Sequence, residues 1–350
     1  MQRLYEKVGA VHIHTVFSDG SGHYDQVIQD ATDAGLEFLL FSDHWTLKPK
    51  QQGREGFHNG ILVGIGCELN DSKGRNHLLA FQIDEEIKAG IDPLEYTKKV
   101  VEMGGWAVVA HPDERRDALP EFPAYPWTTW DSEDFQAMEI WNHLSEWMER
   151  LTNRNKYWLY INPRRSVITP TEWTLKTWDR LNLKRRVVGL GGVDAHAHHY
   201  SIWRNVNASI FPYKIAFRSI HMHVLFDEPP EEGNDDAALT QLFQTLRQGR
   251  AFVANRYVGQ ARGFRFWAEG VEDSKIYQMG DRLPAVSQLT FHVNLPPDVT
   301  HAVLLKDSQQ ICHWKDAEGS FRSIGSGVYR VEARRRRRAF IFSNPIVIEP

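Results

Sequence analysis

Short apolar runs that end in a polar residue recur along the first two thirds of the chain. They cover residues 8–11, 38–41, 61–66, 106–110 and 187–193, and His, Asp or Glu residues follow each run. Apolar runs of this length, bounded by Gly, Pro or Asp, are typical of strands buried on both faces of a parallel sheet. The pattern therefore predicts a sheet with polar side chains at the ends of its strands.

Helical patterns lie between these predicted strands. Residues 25–34 place an apolar stripe on one face and stop at Gly35, and residues 92–103 begin with Asp-Pro and stop at a Gly pair. A third pattern covers residues 171–181. Alternating strands and helices indicate βα units, in which functional residues gather at the carboxyl ends of the strands.

The ends of the predicted strands carry candidate metal ligands. His12 and His14 are two residues apart, so on a strand they would point to the same side, with the carboxylate of Asp19 close behind. One His-x-His pair is weak evidence for a metal site. The interpretation gains support because His44, Glu68, His111, Asp194 and His196 follow other apolar runs in the same way.

The predicted secondary structure changes after a polar, turn-rich segment at residues 227–236. One helical pattern follows at 237–247, and from residue 251 only short strand-like segments occur. Their spacing predicts a β-sandwich, with a hairpin turn at residues 307–310. We therefore expect an α/β domain at residues 1–236, a connecting helix at 237–250 and a β-sandwich domain at 251–350. The simplest role for the β-sandwich domain is to pack against the first domain.

The ordered motifs of the first part resemble those of the PHP (polymerase and histidinol phosphatase) superfamily. The resemblance covers roughly residues 5–225, and within the superfamily the two-domain layout resembles the branch that includes carbaryl hydrolase. It implies a distorted (β/α)7 barrel followed by the small all-β domain, and a metal-dependent phosphoesterase or related hydrolase. The motifs that carry it are His12-Ile-His14, Asp19, Ser42-Asp-His44, Gly66-Cys-Glu68, His77, Ala110-His-Pro112 and Gly192-Val-Asp-Ala-His196.

The resemblance also implies which residues bind metal. His12, His14, Glu68 and Asp194 would hold one ion, Glu68, His77 and His111 a second, and Asp19, His44 and His196 a third. Two or three divalent ions are therefore expected. Asp194 and His196 are in addition the expected catalytic residues, whose replacement should abolish activity without unfolding the chain.

Six imidazoles and three carboxylates form a nitrogen and oxygen donor set that suits Zn, Mn or Fe. Several such ions lower the pKa of a bound water, so that it attacks as hydroxide. Three ions would leave the site with a net positive charge, which favours a small anionic phosphate ester. Hydrolysis of a carbamate, ester or amide is the second reading, and a non-catalytic metal-binding module a third.

The segment after His111 is the expected source of specificity. Arg115 and Arg116 could bind phosphate through paired hydrogen bonds, and Glu139 and Asn142 close another short strand at the same edge. Solvated loop arginines are the alternative. The nearby residues Trp127, Trp130, Trp141 and Trp147 could wall a leaving group, although packing is the simpler explanation.

Other histidines have structural alternatives. His221 and His223 repeat the His-x-His spacing, but no carboxylate follows until Asp227, so a role in the site is not favoured. His198 and His199 could line the entrance or lie in an exposed loop.

Composition narrows the class of protein. The chain has 350 residues, 42% of them hydrophobic, and a net charge of −4, which argues against broad nucleic-acid binding. Two distant cysteines, no secretory leader pattern and no apolar stretch of membrane-spanning length favour a cytoplasmic protein that contacts no membrane.

Overall fold

The fold was analysed in a computed structural model that describes residues 4–116, 118, 121–203, 206–272, 274–285, 288–297, 299, 301–323, 325–336 and 338–350. The strands are β1 Tyr5–Val11, β2 Phe38–Phe41, β3 Gly56–His58, β4 Ile61–Leu69, β5 Leu78–Phe81, β6 Trp106–Val109, β7 Ala137–Asn142, β8 Val188–Gly192, β9 His199–Trp203, β10 Val206–Ser209, β11 Ile220–Phe226, β12 Ala251–Asn255, β13 Arg265–Gly270, β14 Ile276–Gln278, β15 Arg282–Leu283, β16 Leu289–Asn294, β17 His301–Lys306, β18 Gln309–Trp314, β19 Glu318–Ser323, β20 Gly327–Arg335, β21 Arg338–Ser343 and β22 Ile346–Ile348. The helices are α1 Tyr24–Ala34, α2 Lys48–Gln51, α3 Pro93–Glu102, α4 His143–Glu149, α5 Lys156–Ile161, α6 Glu172–Lys184, α7 Tyr213–Ala216 and α8 Asp235–Arg247, with a 3₁₀ turn at Pro163–Arg165.

The fold is mixed α/β, with one large sheet and a separate antiparallel sheet. In the first part the strand order is β1-β2-β4-β5-β6-β7-β8. The ends of β1 and β8 also meet, because the Val193 N–H donates to the Val11 carbonyl oxygen (2.9 Å) and the His14 N–H donates to the Ala195 carbonyl oxygen (3.0 Å). The two outer strands of this series are thereby joined by backbone hydrogen bonds.

Within the series from β1 to β8 given above, β5 departs from the expected parallel arrangement. β5 pairs antiparallel with both β4 and β6, whereas β1-β2-β4 and β6-β7-β8 are parallel. Only residues 70–77 connect β4 to β5. A parallel pair needs a crossover of about a dozen residues or more, so a connection this short permits only an antiparallel neighbour.

The large sheet continues into the C-terminal region. β11 pairs with β1 on one side and with β12 on the other, and β12 pairs with β21. The strands β14-β13-β16-β19 form the separate antiparallel sheet. Side chains from the large sheet and from this antiparallel sheet form a second hydrophobic core, which includes Phe252, Phe291 and Tyr329. The sheet thus crosses residue 251, and the division of the chain at that residue stays a prediction.

The helices predicted from periodicity correspond to α1, α3, α6 and α8, and the hairpin turn joins β17 to β18, with Asp307 and Ser308 at positive φ. None of the helices in the described ranges is both long and apolar enough to cross a membrane. Location in the cell stays a prediction.

Candidate metal centre

The buried carboxylate of Glu68, on β4, lies at the middle of a group of imidazoles. Its Oε2 is 3.0 Å from both His12 Nε2 and His14 Nε2. Its Oε1 is 2.6 Å from His77 Nδ1 and 3.5 Å from His111 Nε2. Burial alone would raise the pKa of Glu68, but the electrostatic interaction with the neighbouring imidazoles, that of His12 above all, outweighs burial and holds the pKa well below its usual value.

A second group of predicted ligands surrounds Asp19. Its carboxylate lies 3.4 Å from His196 Nε2, 3.5 Å from His14 Nδ1 and 3.9 Å from His44 Nε2. Asp194 joins the two groups, with Oδ1 3.5 Å from His12 Nε2 and 3.3 Å from His196 Nδ1. The structure therefore brings all nine predicted ligands into one continuous cluster.

The backbone is strained where several of these side chains are placed. His12, His111 and Asp194 have φ angles of 70°, 26° and 51°, a region that non-glycine residues seldom adopt. β1 ends at Val11, so His12 and His14 do not sit on a regular strand as the two-residue spacing predicted. They reach the same cluster because the chain turns at His12.

Two of the histidines direct one ring nitrogen away from the centre, toward an acceptor. His12 Nδ1 is 2.8 Å from Glu139 Oε1, and His77 Nε2 is 3.1 Å from the Gly74 carbonyl oxygen. When these nitrogens donate, the other ring nitrogen keeps its lone pair and faces the carboxylates. Metal-binding histidines are held in this way in proteins.

Other ring nitrogens in the cluster are buried without a hydrogen bond. Among the described residues, the Nδ1 atoms of His14, His44 and His111 make no hydrogen bond, although His14 Nδ1 lies 3.5 Å from Asp19. Burial and the charge of His196 lower the pKa of His14 to about 3, which keeps that ring neutral and able to bind a metal ion. The donor types, their inward lone pairs and these unpaired nitrogens fit divalent metal ions.

Glu139 supports the cluster from behind. Besides His12, its carboxylate accepts hydrogen bonds from the His111 N–H and from the Asn142 amide, both at 2.8 Å. A Cβ atom on Gly192 would lie 1.8 Å from Glu139 Oε1, so only glycine leaves room for the carboxylate there. Glu139 is buried and its oxygens are occupied, which places it behind a ligand rather than at the predicted substrate contact.

The other predicted substrate contacts occupy different positions. Asn142 bonds Glu139 and lies 3.4 Å from Asp194 Oδ2, on the inner side of the cluster. Arg115 is exposed and pairs with Asp113. It is not among the described residues that line the cavity in front of the cluster, whose size and lining are given below. Arg116 does line the cavity, where its guanidinium pairs with the buried Glu114 and lies over the ring of Tyr125.

A cavity of about 250 Å³ opens in front of the cluster. His198 lines it and stacks on His196, whereas His199 begins β9 and is exposed. Of the four tryptophans considered above, Trp147 alone is among the described lining residues. The lining consists of Asp19, His44, Glu68, His77, His111, Arg116, Phe122, Tyr125, Leu144, Trp147, Met148, Leu151, Asp194, His196, His198 and Ile210.

Sequence reasoning missed several residues that hold the ligands in place. The Tyr213 hydroxyl lies 2.7 Å from the His14 carbonyl oxygen and 3.1 Å from that of His196. Asp43 accepts hydrogen bonds from Thr15 and Ser18, next to the Asp19 segment. Asp43 follows an apolar run beside His44, so its position could have signalled a role, whereas nothing local marks Tyr213.

Comparison with known proteins gives matches of limited extent. No family model matches the chain. The crystal structure of a two-domain protein containing a PHP-like metal-dependent phosphoesterase from Bacteroides vulgatus covers 98% of this chain and 95% of its own, at 14% identity and a TM-score of 0.44. The phosphoribosyl 1,2-cyclic phosphate 1,2-diphosphodiesterase of Eggerthella lenta is 34% identical over 80 residues, which is 21% of this chain and 30% of that enzyme. A PHP-like protein is thus among the proteins that this chain resembles.

An uncharacterized protein of Methanocaldococcus jannaschii is 27% identical to this chain over 115 residues, or 29% of the chain and 66% of that protein. The matched segments thus span less than two thirds of both curated relatives. The kinship with carbaryl hydrolase stays a prediction.

Proposed function

We propose that this PHP-like chain is a metal-dependent hydrolase that acts on phosphate esters. The observation that carries the proposal is the convergence of six imidazoles and three carboxylates on one cluster, in which His12 and His77 each turn one ring nitrogen toward Glu68 and the other toward an outer acceptor. The named activity of the Eggerthella relative, a phosphodiesterase, agrees with this class of substrate.

We propose the same three sets of ligands that the sequence predicts. The compact group formed by His12, His14 and Asp194 supports the first set, and the contacts of Glu68 with His77 and His111 support the second. The contacts of Asp19 with His44 and His196 support the third. The seven strands β1, β2 and β4–β8 are proposed to form the distorted (β/α)7 barrel.

Divalent ions bound in such a site supply Lewis-acid activation of water and of a phosphoryl oxygen. The protein contributes fixed orientation. Glu139 holds the Nδ1 proton of His12, Tyr213 fixes the backbone of His14 and His196, and Asn142 points its amide toward Asp194. These bonds keep the ligands in one arrangement, so little reorganisation is needed when a substrate binds.

The test compares hydrolysis of 4-nitrophenyl phosphate, bis(4-nitrophenyl) phosphate and 4-nitrophenyl N-methylcarbamate by metal-reconstituted protein. Asp194→Asn, which keeps the size of the side chain, is the control. Turnover of either phosphate that disappears in the control supports the proposal and separates monoester from diester. Turnover of the carbamate alone would replace it with carbonyl hydrolysis, and silence on all three would favour a non-catalytic metal-binding module.

A further inference from the structure

The lining of the cavity in front of the cluster has two unlike parts. One part consists of ligand side chains such as Asp19, Glu68 and Asp194. The other part is apolar and is formed by Phe122, Leu144, Trp147, Met148, Leu151 and Ile210, which belong to or pack against one small hydrophobic cluster and which we call the apolar wall. A phosphoryl group bound at the ligands would therefore direct the rest of the substrate toward the apolar wall.

The main part of the apolar wall is one stripe of a helix. Leu144, Trp147 and Met148 lie on α4, and Leu151 follows its end, so the four residues have the i, i+3, i+4, i+7 spacing of a single helix face. The polar residues between them point elsewhere, because Ser145 bonds Glu114. α4 thus turns one continuous apolar face toward the cavity.

Packing inside the protein accounts for only part of this stripe. Trp147 and Leu151 are buried in a small cluster with Leu159 and Phe211. Leu144 and Met148 lie against that cluster but stay partly exposed, and both line the cavity. Large apolar side chains that keep free surface inside a cavity gain most by contacting an apolar ligand.

The apolar wall is poorly equipped to bind a sugar. Its one hydrogen-bonding side-chain group, the Trp147 indole N–H, already donates to the Leu159 carbonyl oxygen at 3.3 Å. The neighbouring Arg116 is paired with Glu114 and donates to the Pro123 carbonyl oxygen, so that only its Nε is left without a hydrogen-bond partner among the described residues. Hydroxyl groups placed here would lose hydrogen bonds to water without replacement, which is costly.

We propose that the substrate carries a compact apolar group, about the size of a six-membered ring, which binds against the apolar wall while its phosphoryl group binds at the metal cluster. The inference rests on the proposed function. It also agrees with size, since an apolar cavity of about 150 Å³ can hold benzene and this cavity, at about 250 Å³, leaves room for a phosphoryl group beside a ring.

The test uses two primary alkyl phosphates of the same shape, cyclohexylmethyl phosphate and glucose 6-phosphate, so that the leaving groups are chemically alike. We expect kcat/KM of metal-reconstituted protein to be about tenfold to a hundredfold higher for the cyclohexyl compound. Leu144→Ser and Met148→Ser should each reduce that ratio several-fold. Leu94→Ser, on the exposed face of α3, is the matched control and should leave the ratio unchanged.

Binding of the corresponding phosphonates, measured by calorimetry, separates this inference from the proposed function. Hydrolysis of both phosphates without a preference for the cyclohexyl compound would overturn the inference and leave the phosphoesterase standing. If neither alkyl phosphate is hydrolysed, the aryl phosphates decide whether the proposed function stands, and binding alone decides the inference. Tighter binding of the cyclohexyl phosphonate, weakened in Met148→Ser, supports the apolar wall as the binding surface, and equal or weaker binding contradicts it.

Discussion

Two His-x-His pairs, one just after β1 and the other within its neighbour β11, have opposite outcomes. His12 and His14 follow the end of β1 and face Glu68 and Asp194. His221 and His223 lie inside β11, the antiparallel neighbour of β1. His223 Nδ1 bonds Glu6 (2.7 Å) and His221 Nε2 bonds the Phe217 carbonyl oxygen (2.7 Å).

The comparison shows that position decides the role of the pattern. At the end of β1 the chain turns, and several carboxylates from other strands converge on the two rings. Within β11 both rings are buried in the body of the sheet, and the one carboxylate present, that of Glu6, contacts His223 and is also paired with Arg265. Equal spacing therefore yields a ligand pair in one place and a structural pair in the other.

Among the variants that test the difference between the two pairs, Glu68→Gln is expected to have the largest effect on metal content and activity. Glu68 contacts His12, His14 and His77, so its loss should reduce metal content sharply and activity to background. The matched control is Glu6→Gln, which removes the carboxylate beside His223 instead. Metal content by mass spectrometry and phosphate hydrolysis check both variants, and equal losses in the two would contradict the distinction between the pairs.

A smaller effect is expected from Glu139→Gln. The amide keeps the shape of the side chain but binds the His12 Nδ1 proton less strongly, and loss of such an outer partner typically lowers metal affinity by about 10- to 100-fold. Competition with a chelator measures the affinity. An unchanged affinity would show that Glu139 does not orient His12.

Replacing His223 by Ala should affect stability and spare the site. The variant leaves a cavity and removes a buried hydrogen bond to Glu6, which costs about 1–3 kcal/mol of unfolding free energy. Denaturant unfolding measures this loss. Metal content and hydrolysis per folded molecule should stay within about twofold, and a collapse of metal binding without loss of stability would place His223 in the site.

The smallest effect concerns acid sensitivity at the second pair. Burial raises the pKa of Glu6, but the hydrogen bond and charge of His223, with Gly263 N–H and Arg265, lower it overall to about 2, from 4.5. The stabilisation by ionised Glu6 is therefore complete above pH 4.5 and is lost as pH falls toward 2.

The measurement compares wild-type and Glu6→Gln protein, both with chelator present, by denaturant unfolding at pH 7 and pH 3. The difference in unfolding free energy should be larger at pH 7. A difference that grows on acidification has the wrong sign for a lowered carboxylate pKa.

Strands and helices with strong local patterns could be predicted closely. The run at Phe38–Phe41 matches β2, and the helical patterns at residues 25–34 and 171–181 match α1 and α6, because their apolar periodicity and flanking turns are local signals. β5 was not among the predicted strands, and its antiparallel direction depends on the short connection from β4, which carries no apolar pattern.

Site residues followed the same rule. Most of the predicted ligands follow the end of an apolar run, which the sequence displays, whereas His77 precedes such a run and was predicted only from the family resemblance. The true partners of Glu139 could not be foreseen, because its contact with His12 spans 127 positions and depends on the absence of a Cβ at Gly192. The same holds for Arg116, whose charge is taken up by Glu114 only in the folded chain.

The most direct test of the central claim is the metal content of two double variants, His12→Ala with His14→Ala and His221→Ala with His223→Ala, determined per folded chain by mass spectrometry after reconstitution. The account predicts that the first pair loses bound metal and the second retains the wild-type amount. Retained metal in the first pair, or equal loss in both, would contradict the assignment of the metal centre to the end of β1.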